Sequence, residues 1–286
     1  MYQLMYGQLV AYDILNAIEV PVGIKIAIII VGDEPSSHVC VNNKKAKCEQ
    51  LGIQCDVYRL DKISTEESIV ALIGKLNNDS NITGVIVQLP LPQHVDTYKV
   101  INCINPLKDI AGVTSVNYGN LILKNDIDNI LICATSLGIY TLLDYYDIPT
   151  TGKRCVIVVR DVTVETPLSI LLSKDIKRGN MIVSLCHSHK DDVKAYTQEA
   201  DIVISTVCSP KCITSDMIKD GAVVIDVGMS RIEDKSKANG ERIVGDVDFE
   251  AIKNRCSYIT PVPGGVEPMV IVGLILNIIK SCNIQQ

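Results

Sequence analysis

Residues 151–167, TGKRCVIVVRDVTVETP, decide the fold of the second half of the chain. The apolar run predicts a buried strand, and the following LSILLSKD (168–175) predicts the start of a helix. A strand, a tight turn and a helix form the usual setting of a phosphate-binding cradle. This turn contains no glycine and carries Asp161 and Glu165 instead. The stretch therefore predicts a nucleotide-binding topology with an acidic turn.

The segments on either side continue the alternation of strands and helices. The downstream strands are RCVIVV, NMIVSLC, ADIVISTV and GAVVIDVG, all within residues 154–228. The upstream strands are KIAIIIVG (25–32), CDVYRL (55–60) and ITGVIVQLPLP (82–92), separated by helices over 36–52 and 65–79. Strands without polar alternation, separated by helices, indicate parallel sheets covered on both faces. We predict an α/β protein of two domains, an N-terminal α/β domain over 1–138 and a Rossmann-like domain over 139–267, with a ligand cleft between the sheets.

Composition limits the classes of partner and location. The 286 residues carry a net charge of −6, so nothing suggests nucleic acid or an anionic membrane as a partner, and we predict neither. No apolar run reaches the roughly 18 residues of a membrane span, and the N-terminus lacks the order of a signal peptide. The eleven cysteines are odd in number and irregular in spacing, which indicates reduced thiols in a cytoplasmic protein.

One group of residues raises the question of a metal. The densest group of metal-binding residue types comprises Cys186, His187, His189, Cys208 and Cys212. These residues form no Cys-x-x-Cys pair and lie at the ends of two predicted strands, whereas structural zinc requires four converging ligands. We therefore predict that the chain binds no metal.

Several stretches resemble the methylenetetrahydrofolate dehydrogenase/cyclohydrolase family, from about Tyr6 to the C-terminus. They are VGDEPSSHVCVNNKKAKCEQLGI (31–53), GVIVQLPLP (84–92), NPLKDIAGV (105–113), GAVVIDVGMSR (221–231), VGDVDF (244–249) and YITPVPGGVEPM (258–269). The resemblance implies a folate cleft between an N-terminal domain and a Rossmann domain, and a C-terminal helix, 268–286, that returns to the N-terminal domain. It also implies a homodimer formed through the Rossmann-like domain. Members oxidise the methylene bridge of the folate with NADP or NAD and then hydrolyse the methenyl product.

The catalytic positions of the family are only partly kept. Lys44 and Gln88 match its catalytic lysine and the glutamine that contacts both lysine and folate. The tyrosine one helical turn before the lysine is replaced by Cys40, whose thiol hydrogen-bonds weakly. The aspartate that holds the pterin ring is replaced by Ala111, which cannot accept those hydrogen bonds. Each lost charge-assisted contact costs about 1.5–3 kcal/mol, unless Asp109 takes over the role.

The cofactor positions depart further. In the family turn, the first glycine is replaced by Val159, the serine by Asp161 and the last glycine by Glu165. Arg160 and Ser188 match positions that contact an adenosine 2′-phosphate. Two carboxylates near a diphosphate cost on the order of 4 kcal/mol each at about 4 Å and an effective dielectric constant near 20. NADP is therefore the cofactor implied by resemblance, and the altered turn predicts that it does not bind.

The last motif is the folate-side loop. Pro263, Gly264 and Gly265 are kept, whereas Glu267 replaces a family glycine. Cys208, which follows the predicted strand ADIVISTV, also replaces a family glycine.

Three hypotheses stay open. The chain is a pseudoenzyme with impaired NADP and folate binding, or a divergent enzyme that keeps cyclohydrolase activity through its conserved lysine and glutamine, or a binder of another anion or small metabolite.

Overall fold

A computed structural model of the chain describes residues 2–160, 162–236 and 240–285, with the backbone alone at 162–164. The strands are β1 (Gln3–Leu4), β2 (Lys25–Val31), β3 (Gln54–Leu60), β4 (Gly84–Val87), β5 (Arg154–Val159), β6 (Ile182–His187), β7 (Ile202–Thr206), β8 (Val223–Asp226), β9 (Ser230–Glu233), β10 (Glu241–Val244) and β11 (Tyr258–Ile259). The α-helices are α1 (Gly7–Ala17), α2 (Pro35–Gln50), α3 (Glu66–Asn78), α4 (Thr97–Asn102), α5 (Ser115–Leu123), α6 (Ala134–Tyr145), α7 (Val162–Ser173), α8 (Val193–Thr197), α9 (Phe249–Ile252) and α10 (Val266–Gln285).

The chain divides into two compact units. The six-strand unit comprises Met1–Ile14 and Thr135–Val270, and the three-strand unit comprises Leu15–Ala134 and Ile271–Gln286. The first 14 residues, which we predicted in the N-terminal domain, belong to the six-strand unit, because β1 pairs with β11.

The six-strand unit contains a parallel sheet of order β1-β11-β8-β7-β5-β6. Its central strands are rich in Val and Ile and are buried on both faces, as parallel strands between helices must be. The predicted α/β fold class with a Rossmann-like sheet is thus confirmed. The two-residue strands β1 and β11 were not predicted, because two residues are too short to show a periodic pattern. Strands β9 and β10 pair antiparallel on either side of a charged segment, of which residues 237–239 lie outside the described part.

The three-strand unit contains a parallel sheet of order β3-β2-β4. The side chains of Ile69 and Ile73 from α3 pack with Ile29 of β2 in one buried cluster. Thr65 is the N-cap of α3, since its hydroxyl accepts a hydrogen bond from the Ser68 amide at 3.3 Å. Strand β4 ends at Val87, earlier than predicted, because the prolines of the following QLPLP segment have no N–H for a sheet ladder.

On the largely apolar helix α10, Asn277, Ser281 and Gln285 form a row of hydrogen-bonding side chains, called the ladder below. By length and composition alone it is long and apolar enough to cross a membrane, with a mean hydropathy of 1.4. The fully buried Asn277 donates to the carbonyls of Ile110 and Ile132 at 2.9 and 2.6 Å and accepts from the Ile132 amide at 3.3 Å. Ser281 and Gln285, at four-residue intervals, both bond to the carbonyls at 83 and 107. These bonds tie the second half of α10 into the core of the three-strand unit.

Replacing Asn277 with alanine is expected to lower the free energy of unfolding by about 2–4 kcal/mol, because it leaves three buried backbone groups without partners. Urea unfolding followed by circular dichroism measures this change. Asn283→Ala is the matched control, since Asn283 is exposed on the same helix. Equal losses of stability in the two variants would show that the ladder contributes nothing specific.

Candidate functional site

The structure brings the predicted catalytic lysine and glutamine into contact. Lys44, on α2, donates from Nζ to Oε1 of Gln88 at 2.7 Å. Gln88 directly follows β4, and its Nε2 donates to the Leu89 carbonyl at 2.7 Å, which fixes the orientation of the amide. The helix and the end of the strand together hold the amine at the carboxyl edge of the three-stranded sheet.

The surroundings of Lys44 favour proton transfer. Its side chain is half-buried, and burial lowers the pKa of the ammonium group, with the thiols of Cys40 and Cys48 acting in the opposite direction. Cys40 lies one helical turn earlier on α2 and is exposed. An amine with a lowered pKa can exchange protons with a ligand more readily near neutral pH.

The loop over 109–112 runs beside β4, where Asp109 forms a parallel bridge with Val85. Asp109 is fully buried, and its carboxylate accepts from the amides of Gly112 and Thr114 at 3.0 and 2.8 Å and from Nδ2 of Asn117 at 2.9 Å. Burial raises the pKa of Asp109, and these hydrogen bonds oppose the rise. Both oxygens are engaged by the loop and by the start of α5, so Asp109 does not take over the role of an acid at position 111.

Ala111 itself is half-buried, and its carbonyl accepts from the Ala134 amide at 3.1 Å. The next residue, Gly112, has a φ of +70°, and a Cβ there would lie 2.2 Å from the Ile132 carbonyl carbon. The loop thus keeps a conformation that requires glycine while its side chain at 111 offers only a methyl group.

The structure corrects the predicted place of Val159. This residue is the fully buried last residue of β5, paired with His187 and Thr206, and does not lie in the turn. Its φ is not in the left-handed region, so its backbone does not require glycine. A β-branched side chain suits a buried strand, and Val159 therefore fits its position.

The turn after β5 leads directly into α7. Arg160 is exposed, and Asp161 lies outside the described residues. Glu165 is half-buried in the first turn of α7, where the helix dipole favours a negative charge. This is the end of the helix at which a phosphate would bind. Glu165 therefore places an acidic residue at the helix end where a nucleotide site of this topology would bind a phosphate.

Ser188 follows β6 and donates its amide hydrogen to the Val159 carbonyl at 2.9 Å. Its hydroxyl is buried and has no hydrogen-bond partner within the described ranges. The serine predicted to contact a 2′-phosphate therefore lies at the carboxyl end of β6, beside the end of β5.

Cys208 keeps the backbone of the glycine that it replaces. It follows β7 with a φ of +57°, in the left-handed region, and is exposed. Side chains other than glycine pay roughly 1–2 kcal/mol for this conformation.

Cys208→Gly is therefore expected to raise the free energy of unfolding by about 1 kcal/mol. Thermal or urea unfolding measures the change. Cys40→Gly serves as the opposing control, since glycine inside α2 costs about 1 kcal/mol. A destabilised Cys208→Gly variant would contradict the prediction.

In the predicted folate-side loop, Glu267 accepts a hydrogen bond from the loop backbone. Gly264 has a φ of +101°, and its amide donates to Oε2 of Glu267 at 3.2 Å. Oε1 of Glu267 is buried and has no hydrogen-bond partner among the residues described. Pro263 is exposed, whereas Gly265 is buried, and a Cβ there would lie 2.5 Å from the Pro261 carbonyl oxygen. Glu267 thus occupies the backbone donor of Gly264.

Two further features concern titratable groups. Across residues 2–160, 162–236 and 240–285, no set of three or more Asp, Glu, His or Cys side chains is arranged to hold a metal ion. The sequence analysis did not single out Asp246, which is fully buried near Asp226. The available signal was that each acid stands within two residues of a glycine, in IDVG and VGDV.

Comparison with known proteins identifies the family. Residues 7–111 match the model of the tetrahydrofolate dehydrogenase/cyclohydrolase catalytic domain, and residues 133–286 match that of its NAD(P)-binding domain. The bifunctional protein FolD of Amoebophilus asiaticus is 44% identical over 260 residues, covering 91% of this chain and 86% of the relative. The FolD of Aquifex aeolicus is 46% identical over 256 residues, covering 90% and 84%.

Solved structures agree with this match. The FolD methylenetetrahydrofolate dehydrogenase/cyclohydrolase of Campylobacter jejuni is 35% identical, with a TM-score of 0.89 and full coverage of both chains. The Trypanosoma brucei enzyme, complexed with NADP and an inhibitor, is 28% identical with a TM-score of 0.89, covering 99% of this chain and 97% of its own. The chain therefore belongs to the tetrahydrofolate dehydrogenase/cyclohydrolase family.

Proposed function

We propose that this chain is a pseudoenzyme of its family, folded but without dehydrogenase activity and with impaired binding of NADP and folate. The observation that carries the proposal is Glu165 in the first turn of α7. A carboxylate there repels a diphosphate and uses the helix end that would stabilise it. The residues of this turn do not fit the diphosphate of NADP.

The folate side supports the same proposal. Ala111 lacks the carboxylate that the family resemblance assigns to pterin binding, and the Asp109 carboxylate is held by three donors, from Gly112, Thr114 and Asn117. The two losses lie in different units, and their energetic costs are expected to add.

A second candidate function is a divergent cyclohydrolase. The hydrogen bond between Lys44 and Gln88 and the lowered pKa of Lys44 favour it, because hydrolysis of a methenyl folate needs proton transfer and no dinucleotide. Cys40 weakens this candidate, since a thiol in place of a phenol is a poor hydrogen-bonding companion for the amine.

Spectrophotometric assays separate these functions. The purified chain is incubated with methylenetetrahydrofolate and NADP or NAD, and separately with methenyltetrahydrofolate. The pseudoenzyme predicts no turnover above the uncatalysed rate in either assay, whereas a residual cyclohydrolase consumes only the methenyl compound. Lys44→Met is the control that abolishes any such hydrolysis. Reduction of the dinucleotide at rates typical of enzymes, about 1–1,000 per second, would refute the proposal.

Partners and location follow from the family alone. We propose a homodimer through the six-strand unit, a folate-like small molecule as the remaining ligand, and a cytoplasmic location.

Under the third hypothesis the chain binds another anion or metabolite. Calorimetric titration with NADP, NAD and folate tests it, because measurable binding of any of the three would contradict a repurposed site.

A further inference from the structure

Two buried carboxylates meet at the carboxyl edge of the six-stranded sheet. Asp226 is the last residue of β8 and is 3% exposed, and Asp246 follows β10 and is fully buried. The Asp246 amide donates to Oδ1 of Asp226 at 3.0 Å. The Gly228 amide also donates to that oxygen at 3.0 Å, and a Cβ on Gly228 would lie 2.1 Å from Oδ1 of Asp246. Both carboxylates therefore contact the same glycine.

The Asp246 carboxylate fastens the loop that follows β7. Its Oδ2 accepts from the Ser205 hydroxyl at 2.8 Å and from the Val207 amide at 2.7 Å. Its Oδ1 accepts from the Ser209 amide at 2.8 Å. The amides on both sides of Cys208 are thus bound to one carboxylate, which accounts for the left-handed backbone between them.

The Asp226 carboxylate fastens a second loop. Besides the two bonds to its Oδ1, its Oδ2 accepts from the Val247 amide at 2.9 Å. A carboxylate offers about four lone-pair positions, so three accepted bonds leave one position for a proton. The Asp226 carboxyl can therefore carry a proton without losing any of these hydrogen bonds.

Within the described part of the chain, no cation forms an ion pair with either carboxylate. A cavity of about 150 Å³ beside Asp226 is lined by the charged groups Lys211, Arg242, Asp248 and Glu250. Lys211 pairs with Asp248 at 3.3 Å, and Arg242 pairs with Asp234 at 3.7 Å.

The remaining titratable neighbour is Cys212. Burial, followed by the charges of Asp246 and Asp226, raises the pKa of its thiol to about 12, so that it stays neutral. Two adjacent buried negative charges without a cation are unfavourable, and one proton relieves the repulsion.

We propose that Asp226 and Asp246 form a proton-linked clamp, which holds the loop over 207–209 while Asp226 carries a proton and loosens it when that proton is lost. Burial, together with the charge of Asp246, raises the pKa of Asp226 to about 7, against the opposing effect of its backbone hydrogen bonds.

The direction of the pH effect follows from proton binding. In the closed loop Asp226 keeps its proton up to about pH 7, whereas a hydrated aspartate loses it near pH 4. The closed state therefore binds more protons between these two values, and its stability falls as pH rises through this window, with no further change above it.

Hydrogen exchange at the amides of Val207 and Ser209 tests the clamp. After correction for intrinsic exchange, we expect their protection to fall roughly twentyfold between pH 5.5 and 7.5 in the native chain. In Asp226→Asn the protection is expected not to depend on pH. Asp201→Asn is the control, because Asp201 pairs with Lys219 at 2.7 Å and its pKa is lowered, so the twentyfold fall should persist.

Protection independent of pH in the native chain, or a pH dependence that persists in Asp226→Asn, would overturn the proposal. Carboxyl carbon NMR of the native chain keeps the test valid if the variant fails to fold. An Asp226 carboxyl that titrates near pH 7 supports the clamp. If Asp226 titrates near the ordinary value of about 4, the clamp does not exist.

Discussion

Ala111→Asp is expected to raise the affinity for a tetrahydrofolate ligand about a hundredfold. The family resemblance assigns two hydrogen bonds to this carboxylate, each worth about 1.5–3 kcal/mol, and about 1.4 kcal/mol corresponds to a factor of ten. The loop is ready to receive the side chain, because Gly112 keeps its left-handed backbone and Asn277 holds the Ile110 carbonyl.

Isothermal titration calorimetry of the native chain and of Ala111→Asp with tetrahydrofolate measures this gain. Ala111→Asn is the matched control, since it has nearly the same shape but lacks the charge, and its gain should be much smaller. Equal affinities of the native chain and Ala111→Asp would show that position 111 does not contact the ligand. High affinity in the native chain would show that another group holds the folate.

The second large effect concerns the dinucleotide. The double variant Asp161→Ser, Glu165→Gly is expected to bind NADP about thirtyfold more tightly or better, since even half of a 4 kcal/mol repulsion corresponds to that factor. Val159 is left unchanged because it belongs to the buried core of β5. Fluorescence titration with NADPH measures the change.

Glu165→Gln separates charge from backbone freedom. If charge repulsion dominates, Glu165→Gln recovers a large part of the gain in NADPH affinity shown by the double variant. If the turn requires glycine at position 165, its affinity stays as low as that of the native chain. Asp175→Asn, an acid elsewhere in the six-strand unit, is the control for the general effect of net charge. An equal gain in the control would contradict a local role of the turn.

The layered architecture was predictable because buried parallel strands leave continuous apolar runs in a sequence. β2 and β5 are of this kind, and both were predicted within one residue of their observed ends. The pairing of β1 with β11 left no such trace, because it joins residues more than 250 positions apart through backbone groups alone. Asn277 and Asp246 escaped prediction for a similar reason, since their partners become visible only once distant loops meet.

The candidate site was predictable only where a motif keeps its residue types. Lys44 and Gln88 meet as the family motif implies. Val159 was placed in the turn by alignment with a glycine, but a valine at the end of an apolar strand extends that strand. The engagement of Asp109 by its own loop could not be foreseen, because the direction of a side chain depends on the donors around it.

A crystal soaked with NADP at about millimolar concentration tests most directly whether the acidic turn excludes the diphosphate, since even weak binding near 1 mM would populate the site. We predict no ordered dinucleotide density against residues 159–165 in the native crystal and ordered density in crystals of the double variant. A diphosphate ordered against Glu165 in the native crystal would contradict the proposal that this chain has lost its dinucleotide site.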